Sequence, residues 1–353
     1  MLQLIRATLP HPAQPAQSPF TGHPNLSSAP QVALLSLYPA KFATLPVMAT
    51  PGKAARAPRP AGSPPILTSR DNRWLKQFRM ALRGGLPTES GFVGVEGVRL
   101  VEEALRSGCP IDAVLFSESG ERHHERLAPF IDRNEIAFPV LRTTDRLFEG
   151  LADTERPQGV ATLVKPRTTT FDELVRTPAN ACSPLLVVLA GVQDPGNVGT
   201  ILRTASAFGA TGAITSASGQ SRTANPYSPK ALRASAGAAL HLPILLGMSL
   251  PVLLAQLKMA GFRTLASSVH EPAQGEQPLL EPWEVDWCLP AALLVGNEGA
   301  GLPVEVERTA DARIRIPMAS GIESLNAAAA AAVLFYEASR QRNWRPVRII
   351  QTP

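Results

Sequence analysis

Short apolar segments alternate with segments of helical periodicity along most of the chain, and this alternation constrains the fold more than any other feature. From residue 66 onward, apolar segments of strand length precede or follow amphipathic segments with an apolar residue every three or four positions. Predicted strands are 91–95, 113–116, 138–141 and 159–163, and predicted helices are 72–82, 97–107 and 122–133. Such an alternation predicts an α/β fold.

A second alternation begins at residues 185–189, which are nearly all apolar and are typical of a strand buried on both faces. Further predicted strands are 213–215, 241–246, 263–266, 293–295 and 312–316, and predicted helices are 200–208, 229–239, 250–260 and 326–340. Repeated strand–helix units favour a mostly parallel sheet in this second part of the chain.

Changes in composition divide the chain into four regions. Residues 1–64 are rich in Pro and Ala, lack Asp and Glu, and are predicted to be a disordered tail. Residues 65–165 form a small α/β domain, residues 166–182 a Thr- and Pro-containing linker, and residues 183–345 a second α/β domain. The tail has three open interpretations: an organellar transit peptide, a flexible bacterial extension, or translation that starts at Met48.

The distribution of charge weakens the inference that the net charge of +5 would otherwise support. Residues 1–70 contain six of the 34 Lys and Arg residues and no acid, so the remaining chain has 28 basic and 29 acidic residues. Total charge therefore says little about nucleic acid binding by the folded part. The apolar segments are too short for a membrane span, and the three cysteines are too far apart to indicate a metal site or a disulfide framework.

Three segments rich in Gly and polar residues come directly after predicted strands. Segment 1 spans residues 193–203, segment 2 spans 296–302, and segment 3 spans 316–326. Open parallel sheets place their ligands at the carboxyl ends of strands, so the three segments are expected to converge on one edge of the sheet. None has the G-x-G-x-x-G order of a dinucleotide-binding fold.

Together the three segments resemble motifs 1, 2 and 3 of the SpoU/TrmH family, in the SPOUT superfamily of RNA methyltransferases. The resemblance rests on the Asn197-to-Arg203 spacing, on Leu-Val-Gly-Asn-Glu-Gly at 294–299, and on Ile-Pro-Met at 316–318 followed by Ser-Leu-Asn at 324–326. It covers residues 183–342. The first domain, with Phe-Val-Gly-Val-Glu-Gly at 92–97 and Arg-Pro-Gln-Gly-Val at 156–160, resembles the ribosomal-protein-like substrate-binding domain that often precedes this catalytic domain.

The resemblance implies a deep trefoil knot that binds S-adenosylmethionine. Carried over position by position, Gly296, Ile316 and Leu325 contact the adenosine largely through backbone groups, and Met318 lies beside them. A glycine suits such a role because it lets a ligand approach the backbone closely. The resemblance also implies a homodimer formed through the knotted domain, in which Arg203 acts on the cofactor of its own or of the partner subunit.

The catalytic residues implied by the resemblance are Asn197, Arg203, Glu298, Ser324 and Asn326. A guanidinium is a poor base, so Arg203 is expected to grip a neighbouring phosphate and orient the hydroxyl; the alternative is a surface Arg paired with an acid. Glu298 is open to three roles: to hold Arg203, a ribose hydroxyl, or the amides of its own loop. Asn197, Ser324 and Asn326 also suit helix capping.

A Pro-Lys-x-x-Arg-x-Ser-x-Gly string at 229–237 also has counterparts in the family and supplies Lys230 and Arg233 as candidate RNA phosphate contacts. Relatives often have Asp where Asn225 stands here.

The resulting hypothesis is S-adenosylmethionine-dependent methylation of a ribose 2′-hydroxyl in ribosomal RNA, without a metal. The alternatives are transfer RNA as substrate, methylation of a base nitrogen, and an RNA-binding assembly factor that lacks catalysis. The expected location is the bacterial cytoplasm, or a plastid or mitochondrion if residues 1–64 are a transit peptide.

Overall fold

The computed structural model describes residues 66–133, 138–176, 183–217, 222–268, 279–320 and 324–342. The predicted tail, with Met48, and residues 343–345 of the second predicted domain lie outside this described part. Within it, no helix combines the length and the hydropathy that are needed to cross a membrane.

The first domain is built on a five-stranded sheet with strand order β1-β4-β3-β5-β2. Its elements are β1 (Ile66–Leu67), α1 (Arg73–Leu82), β2 (Val93–Glu96), α2 (Val98–Arg106), β3 (Ile111–Ser117), a 3-10 helix (Ser119–His123), α3 (His124–Arg133), β4 (Val140–Thr143), α4 (Asp145–Glu149) and β5 (Val160–Val164). Strands β1, β4 and β3 are parallel, whereas β5 runs antiparallel to both β3 and β2. Every strand and helix expected in this domain is present.

The predicted linker contains a helix that the sequence analysis did not anticipate, α5 (Phe171–Val175). Thr170 and Glu173 form a capping box at its start, which satisfies backbone N–H groups that a short helix otherwise leaves open. Leu174 is 3 % exposed and packs into the core of the second domain. This part of the linker is therefore packed structure.

The second domain has a seven-stranded sheet with strand order β10-β12-β9-β11-β6-β7-β8, in which every pairing is parallel. Its elements are β6 (Leu185–Leu189), α6 (Pro195–Ala207), β7 (Gly212–Ser216), α7 (Pro229–Ala234), α8 (Ala238–His241), β8 (Ile244–Met248), α9 (Leu250–Met259), β9 (Arg263–Ser267), β10 (Leu279–Leu280), a 3-10 helix (Pro282–Glu284), β11 (Ala291–Val295), α10 (Val304–Thr309), β12 (Ala312–Ile314) and α11 (Ala327–Gln341). The predicted α/β class with a mostly parallel sheet is confirmed.

Strand β6 shows why its sequence is apolar throughout. Leu185, Val187 and Leu189 belong to one core cluster, and Leu186 and Val188 belong to another. Successive side chains of a strand point to opposite faces, so both faces of the sheet are covered here. Strand β6 therefore lies between two packed layers of side chains. Segment 1 follows its carboxyl end.

The predicted helix 229–239 is wrong in its second half, because the chain turns between α7 and α8. Ala236 and Gly237 have φ values of +49° and +87°, in the left-handed region that ends a helix. A Cβ on Gly237 would lie 2.7 Å from the Cβ of Glu103 in the first domain. The glycine therefore permits close contact between the two domains, and β8 begins at Ile244, three residues later than expected.

Candidate active site

The three segments identified in the sequence follow strands that lie close together in the second sheet. Segment 1 follows β6, segment 2 follows β11, and segment 3 follows β12. Strands β6 and β11 are direct neighbours, with Leu189 opposite Val295 at their carboxyl ends. Strand β12 is separated from β11 by β9 alone. The parallel topology thus brings the three segments to one edge, as expected from strand order in open α/β sheets.

Segment 1 enters α6 earlier than its sequence suggests. Asp194 is the N-cap, its side chain accepts a hydrogen bond of 3.2 Å from the backbone N–H of Gly196, and Pro195 occupies the first position of the helix. Asn197 therefore lies inside the first turn, and the alternative in which it caps the helix is wrong. Its side chain is available for contacts with the other segments.

A carboxylate-centred network joins the three segments. The Glu298 carboxylate accepts hydrogen bonds from the backbone N–H groups of Gln193 (3.2 Å) and Asp194 (3.1 Å) and from Nδ2 of Asn197 (3.0 Å). Oδ1 of Asn197 in turn accepts a hydrogen bond of 3.1 Å from Nδ2 of Asn326. Glu298 thus holds amides of segment 1, which was not among the three roles considered for it.

These contacts fix the ionisation of Glu298. Burial alone would raise the pKa of its carboxyl, but the hydrogen bonds from Asn197 and from backbone N–H groups outweigh burial and lower the pKa. Glu298 is therefore a carboxylate at neutral pH, with its lone pairs engaged by N–H donors. Such a group aligns neighbouring loops and is a weak proton acceptor.

Asn326 has two functions at the start of α11. Its Oδ1 accepts hydrogen bonds from the backbone N–H groups of Ala328 (2.9 Å) and Ala329 (3.3 Å), so it is the N-cap of the helix. Its Nδ2 simultaneously holds Asn197. The capping function considered for Asn326 is therefore present, and its catalytic role stays a prediction. Because Asn326 is the N-cap, Ser324 does not cap α11; it is exposed and lines the neighbouring pocket.

The loop of segment 2 is organised by Asn297 and by two glycines. Oδ1 of Asn297 accepts hydrogen bonds from the backbone N–H groups of Gly299 (2.9 Å) and Ala300 (3.0 Å), and its Nδ2 donates to the carbonyl of Gly191 (3.0 Å). A Cβ on Gly296 would lie 2.4 Å from the carbonyl carbon of Gly301, so no other residue fits there. The sequence analysis missed Asn297 as a site residue, although its Asn-x-Gly context indicates a turn stabilised by its own side chain.

Segments 2 and 3 enclose a pocket of about 270 Å³. All four residues predicted to bind the cofactor line it: Gly296, Ile316, Met318 and Leu325. Apolar side chains and close-packed backbone provide one surface, and Glu298 and Ser324 provide polar atoms. Its size lies just below the range of about 300–1,000 Å³ usual for small-molecule pockets. This combination suits a flat heterocycle joined to a polar chain, as in S-adenosylmethionine.

A buried ionic cluster at the same pocket was also missed by the sequence analysis. Arg313 on β12 is 2 % exposed, and its Nη2 lies 3.2 Å from Glu307 Oε2 and donates a hydrogen bond of 3.1 Å to Ser268. Glu307 and Ser268 line the pocket. In the predicted strand 312–316, Arg313 and Arg315 alternate with apolar residues, a pattern that indicates a polar face for both arginines. The sequence pattern therefore gave no signal that Arg313 is buried and paired.

Arg203 is separate from this network. It lies on the exposed side of α6, and throughout the described ranges no carboxylate or other hydrogen-bonding group engages its guanidinium. Among the residues that the structure describes, Arg203 is therefore not paired with an acid, the alternative considered for it. A guanidinium with all its donors available is suited to bind a planar anion in a bidentate manner.

Lys230 and Arg233, the predicted RNA contacts, each have a carboxylate partner. Lys230 pairs with Asp194 at 2.5 Å, and Arg233 pairs with Asp153 of the first domain at 2.7 Å. The first pair connects α7 to the start of α6, and the second connects α7 to the first domain. Among the residues that the structure places, no group of three or more His, Cys, Asp and Glu side chains is arranged to hold a metal ion.

Family models match both domains. The model of the SpoU rRNA Methylase family matches residues 184–336, and that of the MRM3-like substrate binding domain matches residues 88–162. An uncharacterized tRNA/rRNA methyltransferase from Synechocystis is 34 % identical over 276 residues, which cover 78 % of this chain and 94 % of that protein. A 23S rRNA (uridine(2479)-2′-O)-methyltransferase from Streptomyces viridochromogenes is 30 % identical and covers 78 % of this chain and 92 % of its own.

Solved structures agree with these matches. The S-adenosylmethionine-bound rRNA methyltransferase from Sinorhizobium meliloti superimposes with a TM-score of 0.64 at 29 % identity, over 79 % of this chain and 98 % of that chain. A structure described as an RNA 2′-O ribose methyltransferase has a TM-score of 0.60 at 26 % identity, over 79 % and 100 %. The chain therefore belongs to the SpoU rRNA methylase family and is an S-adenosylmethionine-dependent RNA methyltransferase.

Proposed function

We propose that this protein methylates a ribose 2′-hydroxyl in structured ribosomal RNA. The observation that carries the proposal is the exposed, unpartnered Arg203 on the helix whose first turn is fixed by Glu298, Asn197 and Asn326. The name of the Streptomyces relative, a 2′-O-methyltransferase of 23S rRNA, supports both the ribose and the class of RNA.

The pocket residues position the methyl donor. We propose that Gly296, Ile316, Met318 and Leu325 hold S-adenosylmethionine, with the adenosine against the backbone that Gly296 leaves open. When bound, this cofactor supplies a methyl group on a sulfonium, an excellent leaving group. The task left to the protein is to align the acceptor oxygen, and alignment accounts for about 7–11 kcal/mol of barrier reduction in well-oriented reactions.

Arg203 provides that alignment. Its guanidinium binds the phosphate next to the acceptor ribose through two parallel hydrogen bonds and thereby places the 2′-oxygen toward the pocket. The two carboxylates that line the pocket are already engaged, because Glu298 accepts hydrogen bonds from N–H donors and Glu307 is paired with Arg313. The hydroxyl proton therefore leaves to the bound phosphate or to water.

A homodimer fits the exposed apolar residues next to the site. Leu325, Val333 and Tyr336 are 41 %, 43 % and 59 % exposed, and the last two lie on α11, which packs against α6. A second copy that covers them would bring Arg203 near the partner's pocket, as in the knotted dimer that the resemblance implies. Sedimentation equilibrium tests this, and a monomer at micromolar concentration would contradict it. The bacterial relatives favour the bacterial cytoplasm as the compartment.

The test of the proposed reaction uses purified protein, unmodified ribosomal RNA transcribed in vitro, and S-adenosylmethionine with a deuterated methyl group. Nuclease digestion and mass spectrometry should locate the label on ribose. Label on a base would assign the protein to the base-methylating alternative. Absence of label together with RNA binding would favour the assembly-factor alternative. In a parallel reaction with unmodified transfer RNA, label on transfer RNA but not on ribosomal RNA would make transfer RNA the substrate.

A further inference from the structure

A second cavity in the described residues lies away from the cofactor pocket. Its volume is about 540 Å³, twice that of the cofactor pocket. The first domain contributes α2, the turn that precedes it, and residues 154–158, and the second domain contributes Arg233 and Ala236. We call it the interdomain cleft. The Arg-Pro-Gln-Gly string that the proposed reaction leaves unused begins at this cleft with Arg156.

The side chains that line the interdomain cleft carry more positive than negative charge. It is lined by five arginines and three glutamates, namely Arg99, Arg106, Arg126, Arg156, Arg233, Glu96, Glu102 and Glu103. Glu102 holds both Arg106 (2.6 Å) and Arg126 (2.7 Å), and Asp153 holds Arg233 (2.7 Å).

Arg99 and Arg156 differ from the other arginines of the cleft. Both are exposed, and none of the residues that the structure describes forms a hydrogen bond or an ion pair with either. Two unpartnered guanidinium groups in a cleft whose other cations are neutralised give it the chemistry of an anion-binding site.

Rigid supports hold these two arginines. Arg99 lies in the first turn of α2, at the positive end of the helix. Oε1 of Gln158, two residues after Arg156, accepts a hydrogen bond of 2.8 Å from the N–H of Val98 in the same turn. Glu96 also accepts a hydrogen bond of 3.0 Å from the N–H of Asp153, so the loop is tied to the helix start at two points. Little backbone entropy is then lost when an anion binds, and the entropic cost is confined to the two arginine side chains.

The cleft is connected to the candidate active site through α7. Lys230 pairs with Asp194 at the start of the helix that carries Arg203, and Arg233, three residues later, pairs with Asp153 at the cleft. Three residues span about 4.5 Å along a helix axis. Gly237 and His241 of the second domain also contact Glu103 of the first domain, and His241 Nε2 lies 3.1 Å from Glu103 Oε2. Helix α7 therefore connects the two places through the ion pairs of Lys230 and Arg233.

We propose that Arg99 and Arg156 in the interdomain cleft bind backbone phosphates of the substrate RNA outside the nucleotide that is methylated. This inference rests on the proposed function for the identity of the anion. It assigns Arg233 to domain docking, through Asp153, and gives the phosphate contacts of this region to two residues of the first domain.

The test compares the full-length protein with its Arg99→Ala/Arg156→Ala variant in filter binding to ribosomal RNA transcribed in vitro, over a series of salt concentrations. The variant should bind at least tenfold more weakly. The slope of log binding constant against log salt should fall by roughly 1.4, since each phosphate contact on a single strand contributes roughly 0.7. Arg146→Ala, an exposed arginine of α4 outside the cleft, is the matched control and should bind as the wild type does.

Three outcomes overturn the proposal. The first is a double variant that binds RNA as tightly as Arg146→Ala. The second is binding of adenosine monophosphate that the double variant loses while its RNA affinity is unchanged, which would make the cleft a free-nucleotide site. The third is a parallel loss of S-adenosylmethionine affinity, which would mean that the cofactor site was disturbed. The methylation assay tests the proposed reaction separately, because it uses the wild-type protein and neither the double variant nor Arg146→Ala.

Discussion

Two carboxylates line the candidate cofactor pocket, and the structure holds them in opposite ways. Glu298 lies on an exposed loop and accepts hydrogen bonds from neutral N–H groups of segment 1. Glu307 is 8 % exposed and is paired with the buried guanidinium of Arg313. The partners of Glu298 carry the candidate catalytic residues, whereas those of Glu307 belong to β12 and to the end of β9.

This difference indicates that Glu298 positions the residues of the reaction, whereas Glu307 stabilises the fold. The neutral donors leave the negative charge of Glu298 uncancelled, and its hydrogen bonds connect the loop of segment 2 to segment 1. Arg313 cancels the charge of Glu307, and a buried charge that loses its partner is costly. Changes at Glu298 should therefore affect activity more than stability, and changes at Arg313 should do the reverse.

The largest expected effect is on the reaction, at Arg203, a candidate catalytic residue that contacts neither carboxylate in the described part of the chain. Arg203→Ala should abolish methyl transfer and leave S-adenosylmethionine affinity nearly unchanged, because the change touches neither cluster. Arg203→Lys keeps the charge without the bidentate geometry and should retain only part of the activity. Single-turnover kinetics and calorimetry measure the two quantities, and more than about a tenth of normal activity in Arg203→Ala would remove this residue from its central role.

The next effect is on stability. Arg313→Met leaves Glu307 buried without its cation and should lower the free energy of unfolding by about 3–5 kcal/mol in urea titrations. The double variant Glu307→Leu/Arg313→Met removes both charges and should recover much of the loss. Lys230→Met, at an exposed ion pair, should cost about 0–1 kcal/mol. Equal losses for Arg313→Met and Lys230→Met would contradict the distinction between the clusters.

Replacement of Glu298 should have a smaller effect, chiefly on catalysis. Glu298→Gln keeps the shape and one acceptor oxygen but loses the charge that strengthens three hydrogen bonds. We expect kcat/KM to fall about tenfold, which corresponds to about 1.4 kcal/mol. Glu305→Gln on the exposed side of α10 is the control. A variant with full activity would mean that the network does not align segment 1.

The pH dependence of stability provides a finer test of the same carboxylate. The pKa of Glu298 is lowered from its ordinary 4.5, so its contribution is complete above that pH and is lost as the pH falls through the lowered value. Thermal melts should therefore show a steeper loss below about pH 4.5 for the wild type than for Glu298→Gln. Parallel curves would indicate that the carboxylate is not stabilised in the folded state.

The smallest effect is expected for removal of the tail, since both carboxylate clusters lie far along the chain from it. Deletion of residues 1–60 should leave melting temperature, cofactor affinity and methyl transfer unchanged. Aggregation of the shortened protein, or a loss of RNA affinity, would show that the tail is more than a disordered extension.

The sequence was informative where backbone periodicity and local chemistry decide the structure. The apolar β6 and the Gly and polar segments after β6, β11 and β12 led to the α/β class and to the convergence of the three segments. The trefoil knot, the homodimer and the roles of the site residues came from the resemblance and stay predictions. Contacts between residues far apart in sequence could not be predicted, because the residues around Asn297, Asp194 and Arg313 do not reveal which distant residue each of them contacts.

Two of the differences between the sequence analysis and the structure have a local cause that only the folded chain discloses. Asp194 takes the capping position that Asn197 was considered for, because Pro195 and Gly196 extend α6 toward β6. The break at Gly237 depends on Glu103 of the other domain, which a periodicity analysis of residues 229–239 does not include.

The most direct test of ribose methylation compares 2′-O-methylation at every nucleotide of ribosomal and transfer RNA in cells with the gene, without it, and with the Arg203→Ala variant. The account predicts that a ribose methyl group in ribosomal RNA is present only in cells with the unaltered gene. A complete set of ribose methyl groups in all three strains, or a loss confined to methylated bases, would contradict it.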